Sequence, residues 1–264
     1  MSSLEQLVEE EKNSWSTASY VDCIYGTSKA GQRFAILITQ GLWYALRLII
    51  DEDHRQYKRS SSDQLFCNQN WIHRQEFFTK SGVLEKAQLF KEYLEKGKFL
   101  EVYEILGKTF ALPRLRDMPE DCVKNPDRYL RPGDIIQTNF WLSTNHEGIY
   151  IGNGRVIHVS GHGGEKSTSV ARVGRLLGDF VSKETDSIRV VVYRIRFQSP
   201  DSIVRCAEDW ADSRFRAGEY NLLVKNCQHF ARLCALGHEE CGDLKKVQHF
   251  VEAGVLAIFV LLLL

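Results

Sequence analysis

Two textures of hydrophobic and polar positions divide the chain. In the first, Phe34 to Ile50 (FAILITQGLWYALRLII) is almost continuously apolar, interrupted by Gln40 and Arg47, and reads as a helix, either buried in the core, the preferred reading, or lying at a membrane interface. Val83, Ala87, Phe90 and Leu94, then Leu100, Tyr103 and Leu106, fall at helical spacing on either side of Gly97. That pattern predicts one long amphipathic helix or two short ones over Val83 to Lys108. Asp51 to Asp63 (DEDHRQYKRSSSD) is polar and serine-rich, a solvated loop. Residues 1–115 are therefore expected to form a mainly helical N-terminal region.

The second texture begins after Leu112. Pro113, Pro119, Pro126 and Pro132 punctuate a stretch that helices avoid, and short β-like runs follow. The predicted strands are Asp134 to Asn139, Gly148 to Ile151, Arg155 to Ser160 and Ile188 to Phe197, with Arg194 and Arg196 on a solvated face of the last. Helical spacing returns at about Ser202 to Ala217 and again from Cys227. A compact antiparallel sheet with flanking helices, α+β in class, is the expectation for this half.

The chain ends in AGVLAIFVLLLL, preceded by VQHFVE. A spanning helix needs roughly 20 apolar residues, and counting back to Val247 nearly supplies them, with Lys245 and Lys246 just outside on the cytosolic side. Residues 243–264 are expected to be a membrane-anchor tail that holds the protein on the cytoplasmic face of a membrane.

Charge removes one class of partner. The 34 basic and 34 acidic residues balance, so the basic footprint that nucleic acid demands is missing. Seven cysteines in unrelated spacings, after an acidic and polar N-terminus, point to a reduced, cytosol-facing protein. Cys227, Cys234 and Cys241 recur every seventh residue along one helix face, a spacing no zinc site uses, and Cys234 and Cys241 read as small core residues.

The chemistry concentrates in NHEGIYIGNGRVIHVS, where Gly152-Asn153-Gly154 between two β-branched runs signals a turn. A two-residue Asn153-Gly154 turn would place His146 and His158 on opposite faces of the sheet. A three-residue loop with a left-handed glycine pairs Gly148 with His158. The two histidines then share a face as diagonal neighbours, their β-carbons roughly 7 Å apart. His162, in a glycine loop four residues after His158, would have to fold back across roughly 13 Å of extended chain to join them at a metal; no metal or cofactor is expected.

Asn226-Cys227-Gln228-His229-Phe230 supplies a nucleophile. Asn226 is a good N-cap, and Phe230, Ala231, Leu233 and Cys234 continue at helical spacing, so Cys227 opens a helix. The helix dipole and free N–H groups there favour a thiolate over a thiol of pKa about 8.5. A neighbouring imidazole would complete the activation, held in the right tautomer by a second polar residue. The Cys227 N–H is the natural oxyanion donor. His229 reads as a surface or packing histidine.

These pieces resemble the lecithin:retinol acyltransferase family, including its phospholipase A and acyltransferase branch. The carriers are Pro132-Gly133-Asp134, then His146-Glu147-Gly148-Ile149-Tyr150-Ile151-Gly152, then His158, then Asn226-Cys227-Gln228-His229-Phe230 with Gly237 following. The resemblance covers residues 129 to 242 and implies a permuted papain-like fold, with 116–242 as the catalytic domain. It implies His146 as general base, His158 as third triad member and Cys227 as acyl acceptor, with Asn226 in support. Glu147 stands where that family often has an aromatic residue, and Gln228 replaces a glutamate. Glu147 should point to the face opposite His146.

The implied function is a thiol-dependent acyltransferase or phospholipase acting on glycerophospholipid esters through an acyl-thioester. Its partners would be a phospholipid membrane and an acyl lipid, with a protein partner open to the N-terminal region. A papain-like peptidase or amidase would use the same triad on an amide, and a membrane-associated adaptor or scaffold would carry the triad without turnover.

Overall fold

A computed structural model of the protein describes residues 4–14, 18–51, 71–106, 113–139, 145–160, 170–193, 195–212 and 227–237. In chain order its first elements are α1 (Leu4–Asn13), β1 (Ser19–Thr27), β2 (Arg33–Gln40), β3 (Tyr44–Ile50), β4 (Trp71–Phe77), α2 (Lys80–Lys96), α3 (Phe99–Leu106) and β5 (Arg114–Asp117). Then come α4 (Pro126–Tyr129), β6 (Ile135–Asn139), β7 (Asn145–Gly152), β8 (Arg155–Ser160) and β9 (Val170–Arg175). A π-type turn (Leu176–Phe180), β10 (Arg189–Val192), α5 (Pro200–Asp212) and α6 (Cys227–Leu236) complete the described chain. The class is α+β with antiparallel pairing throughout the named strand pairs.

Two compact units divide these elements: Met1–Pro119 with Ile188–Ser202, and Glu120–Ser187 with Ile203–Leu264.

The first unit corrects the expectation of a mainly helical N-terminal region. β1 to β4 form an antiparallel meander in chain order. Phe34 to Ile50, expected as one core helix, is instead the β2–β3 hairpin, with Phe34 opposite Ile50 and Gln40 opposite Tyr44. The reason is burial on both faces. Ala35, Leu37 and Ile49 pack against Leu4 and Val8 of α1. His73, which pairs with Leu48 on the other face, meets Phe90 of α2 at 5.7 Å between ring centroids. A strand covered on both sides loses its polar alternation, and a continuous apolar run then looks the same for helix and strand. Arg47, inside that run, is fully buried and donates to Thr39 Oγ1 at 2.8 Å, with Glu11 Oε1 3.4 Å from its Nε.

The pattern around Gly97 resolves into two helices. Thr79 caps α2 by accepting from the Gly82 N–H, and Gly97 closes it in the left-handed region (φ 64°), donating to Leu94 O. The last predicted strand ends at Val192, short of Phe197, and pairs with β5. Arg196 lies beyond it and donates its backbone N–H to Gln32 Oε1. Arg194 and nearly all of the expected loop from Asp51 to Asp63 lie outside the described residues.

In the second unit β6, β7, β8 and β9 pair in chain order, and α6 packs on β7 and β8. The loop at the end of the β7–β8 hairpin differs from the expected three-residue form. Gly152 pairs with Arg155, so Asn153 and Gly154 are a two-residue turn, both left-handed (φ 54° and 65°). A register shift between Tyr150 and Gly152 makes Ile151 an extra, bulged residue. One bulged residue reverses the facing that a regular two-residue turn would impose, so Gly148 still pairs with His158. Asp127 of α4 anchors this end: its Oδ1 accepts from Tyr150 OH at 2.6 Å and from the Asn153 N–H at 2.9 Å.

A histidine pair and a buried thiol form the candidate active site

Strand pairing brings the two histidines together. His146 on β7 and His158 on β8 hydrogen-bond through His146 Nε2 and His158 Nδ1 at 2.8 Å. Gly148 makes room beside them. A Cβ there would lie 3.0 Å from the Phe180 ring and 3.1 Å from His158 Cβ, so its absence lets Phe180 into the gap. Phe180 stacks on His146 with centroids 4.9 Å apart and planes at 28°, and meets His158 edge-on at 5.5 Å.

That packing sets the electrostatics. Burial holds His146 down to about 3, with His158 adding to the effect. Burial likewise lowers His158 to about 4, against an upward pull from Asp179, while Arg172 lowers it further. Both rings are neutral at physiological pH, the state in which an imidazole nitrogen can accept a proton.

Cys227 opens α6 as expected, and its thiol comes to the start of β7. The sulfur donates to the Asn145 carbonyl at 3.8 Å, and the backbone of Glu147 also faces it. The residues on both sides of His146 therefore touch the sulfur. The expectation of a stabilised thiolate is corrected. Burial pushes the thiol up to about 12, outweighing the N–H groups of Glu147, Gln228 and Cys227 that pull the other way. A helix terminus lowers a thiol pKa only while the site stays hydrated or charged enough to accept an anion.

Glu147 is buried and accepts from Gln137 Nε2 at 2.8 Å. His229 is buried, a packing residue in position rather than a surface one, and Cys234 is buried on the same helix. Asn226, His162, Cys241 and the apolar tail lie outside the described residues. Among the described residues no helix is long and apolar enough to cross a membrane, and no cluster of three His, Cys, Asp or Glu side chains is arranged around a metal.

Phe180, Gly174 and Asp179 are site neighbours that sequence reasoning missed. They lie in and beside the π-type turn after β9, a strand that was itself unpredicted. Gly178 in that turn, at φ 104°, is the local signal of an irregular backbone.

The stretch that holds the two hydrogen-bonded histidines and the helix-opening cysteine matches a known family: residues 128–240 are similar to the lecithin retinol acyltransferase family. Over 146 residues the chain is 27% identical to Phospholipase A and acyltransferase 4 of Homo sapiens, a match that spans 50% of this chain and 84% of that protein. Both matches support a likeness to that family and to its phospholipase A and acyltransferase-like branch.

Proposed function

We propose that the protein is a thiol-dependent acyltransferase or phospholipase acting on glycerophospholipid esters through an acyl-thioester on Cys227. The observation that carries this reading is the His146–His158 hydrogen bond with the Cys227 thiol held against the residues that flank His146. Likeness to Phospholipase A and acyltransferase 4 supports an ester of a phospholipid as the substrate.

The resting site is neutral, so thiol deprotonation accompanies attack. His146 Nε2 is engaged with His158, and His146 Nδ1 takes the proton as the sulfur adds to the carbonyl carbon. Backbone N–H groups at the start of α6 stabilise the oxyanion. Collapse breaks the ester C–O bond, the lysolipid oxygen leaves with the proton from His146, and the acyl group stays on sulfur. Water, an amine or an alcohol then gives its proton to His146 and takes the acyl group, regenerating the thiol.

In this reading residues 116–242 are catalytic, Asn226 supports the nucleophile, residues 1–115 are open to a protein partner, and residues 243–264 anchor the protein to the cytoplasmic face of a membrane.

A substrate panel of phosphatidylcholine, retinyl ester and peptide amide, run on wild type and Cys227→Ala, tests the reading. Release of fatty acid or lysolipid from phosphatidylcholine by wild type alone is the expected result. Cleavage of the peptide instead would assign a papain-like peptidase, and no difference between the two proteins on any substrate would leave only the scaffold.

A further inference from the structure

A proton sits on only one nitrogen of a neutral imidazole, and this makes His158 decisive. If His146 Nδ1 is to accept a proton, its own hydrogen must be on Nε2, donated to His158 Nδ1, and His158 must carry its hydrogen on Nε2. His158 is buried, and its Nε2 has no hydrogen-bond partner among the described residues. One acidic group faces that nitrogen. A Cβ placed on Gly174 would lie 3.1 Å from His158 Nε2 and 3.4 Å from Asp179 Oδ2, so both atoms border the space left by the missing methyl. Gly174 lies on β9 and Asp179 in the turn that follows it, which also delivers Phe180 to the histidines.

We infer that Asp179 is a positioning residue, whose carboxylate across the Gly174 notch holds His158 as the Nε2–H tautomer and so keeps His146 Nδ1 ready to take the Cys227 proton. The inference rests on the acyl-transfer reading above. Two glycines then have distinct purposes around one imidazole: Gly148 on β7 admits Phe180, and Gly174 on β9 admits the carboxylate. The other groups acting on His158 are Arg172, paired with it across β8 and β9, and His146. Arg172 disfavours charge on the ring but offers it no acceptor, since a guanidinium only donates. Asp179 is about half exposed and its Oδ2 also accepts from the Arg175 N–H at 2.7 Å, so it has a local structural duty as well.

Asp179→Asn separates the two duties, because an amide oxygen still caps the Arg175 N–H while the charge is gone. The full-length protein would be followed in two ways: ring nitrogen-15 spectra of the histidines, and the pH profile of phosphatidylcholine hydrolysis. Wild type is expected to show His158 as the Nε2–H tautomer. In Asp179→Asn that tautomer loses its dominance, and kcat falls roughly tenfold, the scale on which partners that orient a histidine act, with KM within about twofold. The acid limb of kcat/KM moves to lower pH, because a negative charge that favoured the imidazolium has been removed. Gly174→Ala, at a backbone conformation alanine accepts, should give the same spectrum by putting its Cβ 2.9 Å from Asp179 Cβ and displacing the carboxylate. An Asp179→Asn protein with the wild-type tautomer and wild-type pH profile would overturn the inference. Cys227→Ala keeps the two claims apart: it should abolish turnover and leave the His158 tautomer unchanged. If wild type hydrolyses no phospholipid while Asp179→Asn still changes the tautomer, the acyl-transfer reading fails and the Asp179–His158 coupling stands.

Discussion

The Phe180 ring lies flat against His146, 4.9 Å between centroids, in a space that exists because residue 148 has no side chain. This contact joins a motif glycine on β7 to a turn about thirty residues away, and it explains why both histidines are neutral.

Replacing Gly148 is therefore expected to disturb packing and chemistry together. An alanine Cβ would lie 2.7 Å from Val156 Cγ1 as well as close to Phe180 and His158, too short for any real contact. Overpacking of this kind costs about 1–3 kcal/mol, measurable by urea unfolding. The same substitution should lower turnover more than the stability loss alone explains, since His146 loses its stacking partner.

Acid should destabilise the fold before it titrates the native site. Unfolded histidines take up protons as pH falls through 6.5, whereas native His146 and His158 refuse them until about 3 and about 4. The unfolded state thus binds more protons in that window, and stability falls with pH by on the order of 1 kcal/mol per pH unit for each histidine. Urea midpoints between pH 7.5 and 5 should decline in wild type and decline less steeply in a His146→Gln, His158→Gln double variant.

Thiol reactivity should distinguish Cys227 from Cys206. Burial pushes Cys227 up to about 12, whereas Cys206 is only partly buried and its hydrogen bond with Cys234 lowers its thiol below the ordinary value. Iodoacetamide at pH 7.5, followed by peptide mass spectrometry, should label Cys206 well ahead of Cys227. Preferential labelling of Cys227 at that pH would instead indicate a preformed thiolate.

In the first unit, the buried Arg47 depends on Glu11 of α1. Burial, with Arg74 nearby, lowers the guanidinium to about 10, and Glu11 opposes that shift. Glu11→Ala removes a compensating charge from a buried site and should destabilise by about 3–5 kcal/mol. The double variant Glu11→Leu, Arg47→Met should recover most of that loss, as read from thermal unfolding.

Local signals in the chain made the β7–β8 hairpin, the Gly97 break and the start of α6 legible before the structure was known. Gly-Asn-Gly needs left-handed backbone, Gly97 supplies a helix stop, and Cys227 begins a helical spacing. The N-terminal meander was not legible, because β2 and β3 are covered on both faces and carry no alternation to separate strand from helix. Asp179 and Phe180 escaped notice for a different reason: their roles arise from where the turn after β9 docks, and nothing in Leu-Leu-Gly-Asp-Phe itself specifies a histidine as neighbour. The thiolate expectation failed on burial, which a helix-start pattern does not encode.

The most direct test of the account traps the intermediate. Full-length protein is mixed with phosphatidylcholine carrying a labelled acyl chain, quenched in acid within one turnover, and digested for mass spectrometry. The account predicts one acyl group in thioester linkage on Cys227, released by hydroxylamine and absent from Cys227→Ala. Phosphatidylcholine turnover that persists in Cys227→Ala, or an acyl group trapped on another residue in wild type, would contradict it.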